Sequence, residues 1–495
     1  MAVNLRKNII RLLAMSLFFI LFTAAPCHLV AKNQAPEVDT LEEILSSVVD
    51  LHVSKPGSGA LIEGAIGGLL DSLKDPYTEY IPPEHLEDFS DSLEGDYAGV
   101  GIHMQPGNDY PKVIGVFDRT PAGIAGVKPG DLLIKVNGVN VTKEPLGKIV
   151  QKIRGPEGTK VCLTIRRAGV GDMDFELVRA KINTPTVSGT IFDGDTGYIY
   201  ISTFGEETGG EFRKALEDLS RQGVAKLVLD LRDNPGGLVH AAVEICGNFI
   251  EPGQVVVSAV NRDSERKEFV AGGNPTGKGM RVAILVNQNS ASSAEILAGA
   301  LQDHGAAVLV GSRTYGKGTM QAVVGLSSGG VLKITTDRCR TPKGRVIDGA
   351  GLSPDIQVLT PELVQVAALR YLNQREKNTV IFQADKSGTT VNGSAVEKGR
   401  ALLRGDTVYL PLRFVFEALG YRVDWRAGDR SIKIAGSGMD VVYYPGNGRV
   451  SLNGEVIPGL AAPVSENGET FIPASCLPLF STKIKFEGDK IIVEN

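Results

Sequence analysis

The spacing of apolar and polar residues changes several times along the 495-residue chain, and each change marks a new kind of element. An apolar stretch from Leu12 to Ala25 comes first, preceded by Arg6, Lys7 and Arg11. It is shorter than the ~20 residues of a comfortable membrane-crossing helix, and its layout is that of an export leader or short anchor. Leu29-Val30-Ala31 fits the small-residue rule for cleavage better than Ala25, which Pro26 follows, so residues 1–31 are assigned to the leader. Two helical stripes come next: Leu41, Ile44, Leu45, Val48 and Val49, then Leu61, Ile62, Ala65, Ile66, Leu69, Leu70 and Leu73. A helical pair of this size, within 37–92, cannot bury both stripes unaided, so it should pack on a neighbour or pair with a second copy.

From 93 to 180 the period shortens to β-type runs punctuated by Gly and Pro, among them Ala98 to Ile102, Lys112 to Val116 and Asp131 to Gly138. This predicts a small β-rich domain. From 181 to 360, strands such as Lys226 to Leu231 and Arg281 to Val286 alternate with helical stretches over 208–222, 238–249 and 291–303, which predicts an α/β layer structure with parallel strands. A helix from Pro361 to Gln374 and a polar connector fill 361–378. The remainder, 379–495, carries an internal repeat: Thr407 to Phe416 is echoed by Thr470 to Phe480, each after an Asn-Gly turn, at Asn392-Gly393 and Asn453-Gly454. Two copies of a β-helix-β unit are expected, giving a C-terminal α+β repeat domain.

Composition narrows the function. A net charge of −5 offers no basic stripe, which removes nucleic acid from the partners. Beyond the leader, Cys162, Cys246, Cys339 and Cys476 are widely separated and form no Cys-x-x-Cys pair, so neither a metal site nor a redox site is indicated and no cofactor is expected. An exported chain with these properties is expected outside the cytoplasmic membrane, secreted or membrane-anchored.

Three segments carry candidate chemistry. Asn287-Gln-Asn-Ser-Ala-Ser-Ser-Ala-Glu295 sets small hydroxyl residues between a buried strand and an apolar helix, where helical N–H groups and the positive dipole end stabilise an oxyanion. Taken by itself, Ser292-x-x-Glu295 fits a capping box equally well. Asp230-Leu-Arg-Asp-Asn-Pro-Gly-Gly237 ends another buried strand in two glycines that let backbone approach a ligand. Gly311-Ser-Arg-Thr-Tyr-Gly-Lys-Gly318 places Lys317 between glycines after a third strand. All three lie at the C-terminal ends of strands that would be neighbours in one parallel sheet, where open α/β folds build their sites. A lysine acts as a general base only when neutral, which requires burial. The Gly311 to Lys317 spacing matches a phosphate-binding loop, but Gly318 follows where Ser or Thr is needed and no helix pattern comes after it.

In their order and with Ser292 and Lys317 25 positions apart, these motifs resemble those of the carboxyl-terminal processing, or tail-specific, serine peptidases. The resemblance implies a multidomain α/β architecture: a ClpP/crotonase-like peptidase core preceded by an N-terminal helical region and an inserted PDZ β-domain. It implies Ser292 as nucleophile, Lys317 as base, Gln321 as the group orienting Lys317, and an oxyanion hole from the Ser293 N–H together with Gly236 or Gly237. The β-rich segment resembles a PDZ module whose carboxylate-binding loop corresponds to Ala98, Gly99, Val100, Gly101 and Ile102; Gly99 and Gly101 would expose N–H groups to a terminal carboxylate while the bound tail extends the sheet. Arg154 resembles an arginine that couples an occupied PDZ domain to the catalytic glutamine, and Asp75 to Tyr80 matches a packing turn. The implied partners are protein substrates held by their C-terminal tails. The last domain resembles the copper amine oxidase N-terminal-like stalk domain; no histidine lies beyond His304, so copper is not expected there, and envelope contact and a structural appendage both remain open.

Other readings compete. His240 follows the Gly236-Gly237 turn and is the candidate base of a Ser-His hydrolase, whereas His304 falls about 18 Å from Ser292 along a helix. Ser264-x-x-Lys267 offers a second Ser-Lys spelling inside a charged loop. A non-catalytic peptide-binding scaffold is the alternative of a different class.

Overall fold

The structure, a computed structural model, describes residues 36–86 and 97–495 except 106, 108, 118, 183–184, 328, 384–387, 437–438, 446–448, 458–462 and 481. The leader assigned to 1–31 lies outside the described residues. The described residues fall into two units, one ending at Tyr80 and the other running from Ile81 to Asn495. In the first, Pro36–Leu51 and Ser58–Asp71 are helical, and neither helix has a buried residue.

In the second unit, the α/β segment expected over 181–360 is built on a six-stranded sheet. Val187–Asp193 runs antiparallel to Thr196–Ile201, and parallel strands Lys226–Asp230, Arg281–Val286, Ala307–Gly311 and Ile356–Gln357 follow in that order. Successive side chains on a strand point to opposite faces, and the burial follows that rule. Leu227, Leu229, Val282, Ile284, Val286 and Leu309 face one core together with Ala241, Ile245, Leu297 and Leu301 from the overlying helices. Val228, Ala283, Leu285 and Val310 face a second core on the other side. This is why these strands are apolar throughout instead of alternating. An antiparallel group, Thr319–Gly325, Val331–Arg340, Val255–Asn261 and Arg266–Val270, carries Gln321 beside a bulge between Met320 and Gln321.

The helices over 208–222, 238–249 and 291–303 form as Thr208–Arg221, Val239–Cys246 and Ser293–Asp303. The third begins two residues later than its pattern predicts. Ala291 donates its N–H to Asn234 O at 2.9 Å, and Ser292 has φ 55° and ψ −117°, so neither residue is helical.

The β-rich segment folds as a sheet in the order Ile102–Gln105, Lys112–Val116, Leu132–Val136, Lys160–Arg167, Gly171–Val178. Val100, Val113, Leu133, Val136, Ile149, Ile153, Leu163 and Ile165 fill its core. Asp131, almost fully buried, accepts two bonds from Arg167 at 2.8 and 2.7 Å and one from the Lys128 N–H at 2.8 Å. These bonds hold its carboxyl below the usual range against the opposing effect of burial, which is the largest single influence.

In the C-terminal segment the predicted repeat is present as strands Thr407–Pro411 and Glu469–Pro473, which pair antiparallel with each other. The Asn-Gly turns form tight hairpins with positive φ at both central residues, 54° and 88° at 392–393 and 51° and 91° at 453–454, as the right-handed strand twist favours. The two copies differ in their helices. Leu412–Leu419 is an α-helix, but Ala474–Phe480 is a 3-10 helix, since Pro478 lies within it and has no N–H to donate. This segment is no detached appendage. Val380, Phe382, Leu412, Phe414 and Val493 share one continuous core with the helix Val364–Leu372 and with the parallel strands of the six-stranded sheet.

Candidate active site

Three neighbouring parallel strands, Lys226–Asp230, Arg281–Val286 and Ala307–Gly311, deliver the three sequence motifs to one edge of the sheet. The Asp230 carboxylate ends the first strand and accepts from the Tyr198 hydroxyl at 2.7 Å and from Arg232 Nε at 2.9 Å, fixing the start of the glycine turn. Asn234, fully buried, shapes the rest: its Nδ2 donates to Ile201 O at 2.7 Å, and its Oδ1 accepts from the Gly236 N–H at 2.8 Å. The Gly236 carbonyl accepts from Phe204 N at 2.9 Å and Thr203 Oγ1 at 2.8 Å.

The second strand ends in the Ser292 turn. Ser290, also fully buried, donates its hydroxyl to Leu231 O at 2.7 Å, tying this turn to the first motif. Asn287 and Asn289 donate side-chain amides to Asp233 Oδ1 at 3.0 and 2.7 Å and hold its carboxyl below the usual range. Positive φ at a serine is a strained conformation that persists only where neighbours enforce it, and here it marks a sharp strand-to-helix turn. Gly236, at φ 96°, faces this turn so closely that a Cβ would lie 2.6 Å from Ser292 Cβ and 2.9 Å from Ser293 N. Gly237, at φ 140°, would meet Phe204 O at 2.2 Å if it carried one. Ser293, whose hydroxyl donates to Gly237 O at 2.7 Å, fastens the two turns together. Among the described residues the Gly236 N–H is thus taken by Asn234, while no partner engages the N–H of Gly237.

The residue that joins the serine turn to the lysine loop is Glu295. Its side chain is fully buried, and its Oε2 accepts from the N–H of Ser292 at 3.0 Å and from the N–H of Lys317 at 2.9 Å. Two amides on one oxygen place the Ser292 and Lys317 nitrogens within about 6 Å of each other. Oε1 accepts from Thr314 Oγ1 at 2.5 Å and from Gly316 N at 2.8 Å. Burial pushes the Glu295 carboxyl up from the ordinary range, and the four donors pull it back. Gly316 and Gly318 let the loop lie against the backbone of 347–351, where a Cβ on Gly318 would come within 2.1 Å of Asp348 N. Lys317 itself is half-buried.

Gln321, half-buried, donates its side-chain amide to Thr319 Oγ1 at 2.9 Å and Thr335 Oγ1 at 3.2 Å. His240 Nε2 lies 3.3 Å from Glu206 Oε2. His304 caps the far end of the Ser293–Asp303 helix and bonds Val255 O at 2.8 Å, so it is no base for Ser292. Ser264, at φ 65°, sits in the turn joining Val255–Asn261 to Arg266–Val270, and Lys267 stacks over Phe269 on the latter strand; both are exposed, which bears out their solvent-facing reading.

In the PDZ segment, Tyr97–Gly99 pairs with Ala180–Ile182, Gly99 and Val100 are buried, and Gly101 has φ 80° with Thr120 Oγ1 2.2 Å from where a Cβ would stand. Ile102–Gln105 is an edge strand, paired only with Lys112–Val116 among the described residues. Arg154 is exposed at the end of the helix Leu146–Ile153, next to Arg179, whose buried guanidinium donates to Ile153 O at 2.8 Å and Lys160 O at 2.9 Å.

A model of peptidase family S41 matches residues 195–358, a PDZ domain model matches 113–167, and a copper amine oxidase N-terminal domain model matches 390–494. A probable CtpA-like serine protease of Staphylococcus aureus (strain MRSA252) is 36% identical over 332 residues, 67% of this chain and 66% of the relative. This chain therefore spans just under two thirds of that relative's length. The Staphylococcus epidermidis protein of the same description is 35% identical over 332 residues, 67% of each chain. Among solved structures, the photosystem II D1 C-terminal processing protease is 29% identical, over 65% of this chain and 93% of that one, with a TM-score of 0.41. The matched models and the layout of the turn place the chain in the class of serine-peptidase folds that carry a PDZ domain. More narrowly, it belongs to peptidase family S41.

Glu295 and Asn234 are the residues that sequence reasoning underused. The capping-box spacing pointed to Glu295, but only as a local partner of Ser292; its bonds to Thr314, Gly316 and Lys317 span 19 to 22 positions and leave no local pattern.

Proposed function

We propose that the chain is a serine endopeptidase of the carboxyl-terminal processing type, acting on exported proteins whose tails its PDZ domain holds. The observation that carries this reading is the single buried carboxylate of Glu295, which takes the backbone amides of Ser292 and Lys317 on one oxygen. In this reading Ser292 Oγ attacks the scissile carbonyl while Lys317 Nζ, neutral in its resting form, accepts the hydroxyl proton. The oxyanion accepts from the N–H of Ser293 and that of Gly237; Gly237 is preferred because Asn234 already occupies Gly236. Lys317 returns the proton to the leaving amine, and water then hydrolyses the acyl-enzyme by the reverse route. Gln321 orients Lys317 from the neighbouring strand. Every step uses the chain's own groups and calls on no cofactor. The alternation of parallel strands and helices supports a ClpP/crotonase-like relationship for the core.

Tail recognition falls to the loop Ala98 to Ile102, whose glycines present backbone N–H groups, and to the open edge of Ile102–Gln105. Arg154 would transmit occupancy of that groove toward Gln321. The charged, short apolar N-terminus supports export, the exposed apolar stripe of the N-terminal helices supports a homodimer, and the C-terminal domain is a candidate for envelope contact.

Hydrolysis of a protein ending in an apolar tail by wild type, Ser292→Ala and Lys317→Ala tests this reading. Wild type should cleave and both variants should not. Equal cleavage by all three would refute the Ser-Lys mechanism, whereas tail binding without cleavage by any would favour a scaffold.

A further inference from the structure

The C-terminal domain touches the peptidase at a point that bears on catalysis. Ile356–Gln357 is the last strand of the core sheet and pairs with its neighbour at only two positions, Val310 and Gly311. On that side, Val358 donates its N–H to Gly311 O at 2.9 Å, and Gly311 is where the loop bearing Lys317 departs. On the other side the same short segment is held by the C-terminal domain. Glu417, on the helix Leu412–Leu419 and 3% exposed, accepts from Leu359 N at 3.1 Å on Oε1 and from Thr360 N at 2.9 Å on Oε2. Arg413 pairs with Glu417 Oε1 at 3.2 Å, and Gln357 Nε2 donates to Asp424 Oδ1 at 2.9 Å.

The segment just before it grips the lysine loop directly. Thr314 N donates to Leu352 O at 3.1 Å, and Leu352 N donates back to Thr314 Oγ1 at 2.7 Å, the same hydroxyl that donates to Glu295. Residues 352–360 are therefore fastened at one end to the loop that carries the base and at the other to Glu417. On its inner side the segment is also held by Asp355, whose N–H donates to Leu309 O at 2.9 Å and whose Oδ2 accepts from Leu309 N at 2.8 Å, so the C-terminal domain adds the outer half of the clamp on a strand with only two paired positions.

We infer that the C-terminal domain is a clamp on the catalytic core, with Glu417 a positioning residue that fixes the Ile356–Gln357 strand and through it the loop of Lys317. This rests on the Ser-Lys reading of the site. Removing residues 379–495 would strip the second core from the sheet and confound folding with positioning; point variants of the full chain avoid this. Glu417→Gln leaves one acceptor oxygen where two amides and Arg413 now converge on a carboxylate.

The experiment follows amide hydrogen exchange at 311–318 and at 97–105, and kcat and KM for a protein with an apolar tail, in wild type and Glu417→Gln. Exchange at 311–318 should rise about tenfold with 97–105 unchanged. The kcat should fall about tenfold with KM within about twofold, because the tail site is untouched and the base is displaced. Unchanged exchange at 311–318, unchanged kcat, or a loss of kcat equal to the unfolded fraction would overturn the clamp. If Glu417→Gln does not fold, Asp424→Asn removes the outer contact and is read the same way. The exchange measurement is independent of the dyad: equal cleavage by wild type, Ser292→Ala and Lys317→Ala would refute the dyad reading while exchange still decides the clamp.

Discussion

The Ser292 turn and the loop ending at Gly101 both depend on glycines with close neighbours, yet they are finished in opposite ways. Around Ser292 the polar groups of Asn234, Ser290, Ser293 and Glu295 are buried and bonded, and the strained backbone is held from several sides. In the PDZ segment the loop leads into an edge strand with one sheet partner among the described residues, which presents a row of backbone groups to a guest. A reacting centre needs atoms that cannot move, because small misplacements are costly. A recognition edge needs groups whose partners arrive with the ligand.

The sharpest way to break this contrast is Gly236→Ala. A methyl group 2.6 Å from Ser292 Cβ and 2.7 Å from Ala291 O must displace the turn, and peptide hydrolysis should fall about a thousandfold or more while tail binding, measured by fluorescence anisotropy, is retained. Glu295→Gln comes next. It leaves buried donors facing an amide, and should cost about 3 kcal/mol of stability in denaturant titration and about a hundredfold in kcat.

The same carboxylate sets a pH dependence. Its folded-state pKa is raised, chiefly by burial, so the unfolded chain ionises first. The stability linked to this shift is complete below the unfolded pKa and is lost as pH rises through the folded one. In denaturant titrations across the acid range, the stability of wild type relative to Glu295→Gln should decline with rising pH, since the carboxyls held below their usual range contribute equally to both proteins. The mildest change is Gly101→Ala, which adds a methyl group against Thr120 at φ 80°. It should weaken tail binding about tenfold yet leave hydrolysis of short peptides, which do not need the PDZ edge, within about twofold of wild type.

Much of this contrast was legible in the sequence, and the part that was not has a physical reason. Strand ends announce themselves by apolar runs stopping at Gly and Asn, and these signals alone bring Gly236, Ser292 and Lys317 to the C-terminal ends of three neighbouring parallel strands. The start of the helix at Ser293 was missed because capping signals cannot distinguish an ordinary N-cap from a strained one; only the tertiary contact with Gly236 does that. The Asn-Gly turns were readable because φ > 0 at both positions is chemically demanding. The docking of the C-terminal domain was not readable, since the stripe Val364, Ala367, Ala368 and Leu372 says that a face is covered without saying by what.

The most direct measurement of the central claim is covalent labelling with a fluorophosphonate, mapped by peptide mass spectrometry, on wild type and Lys317→Ala. The expected result is a single adduct on Ser292, formed at least about a hundredfold more slowly when Lys317 is absent. An adduct on Ser290 or Ser293 instead, or labelling of Ser292 at the same rate without Lys317, would contradict it.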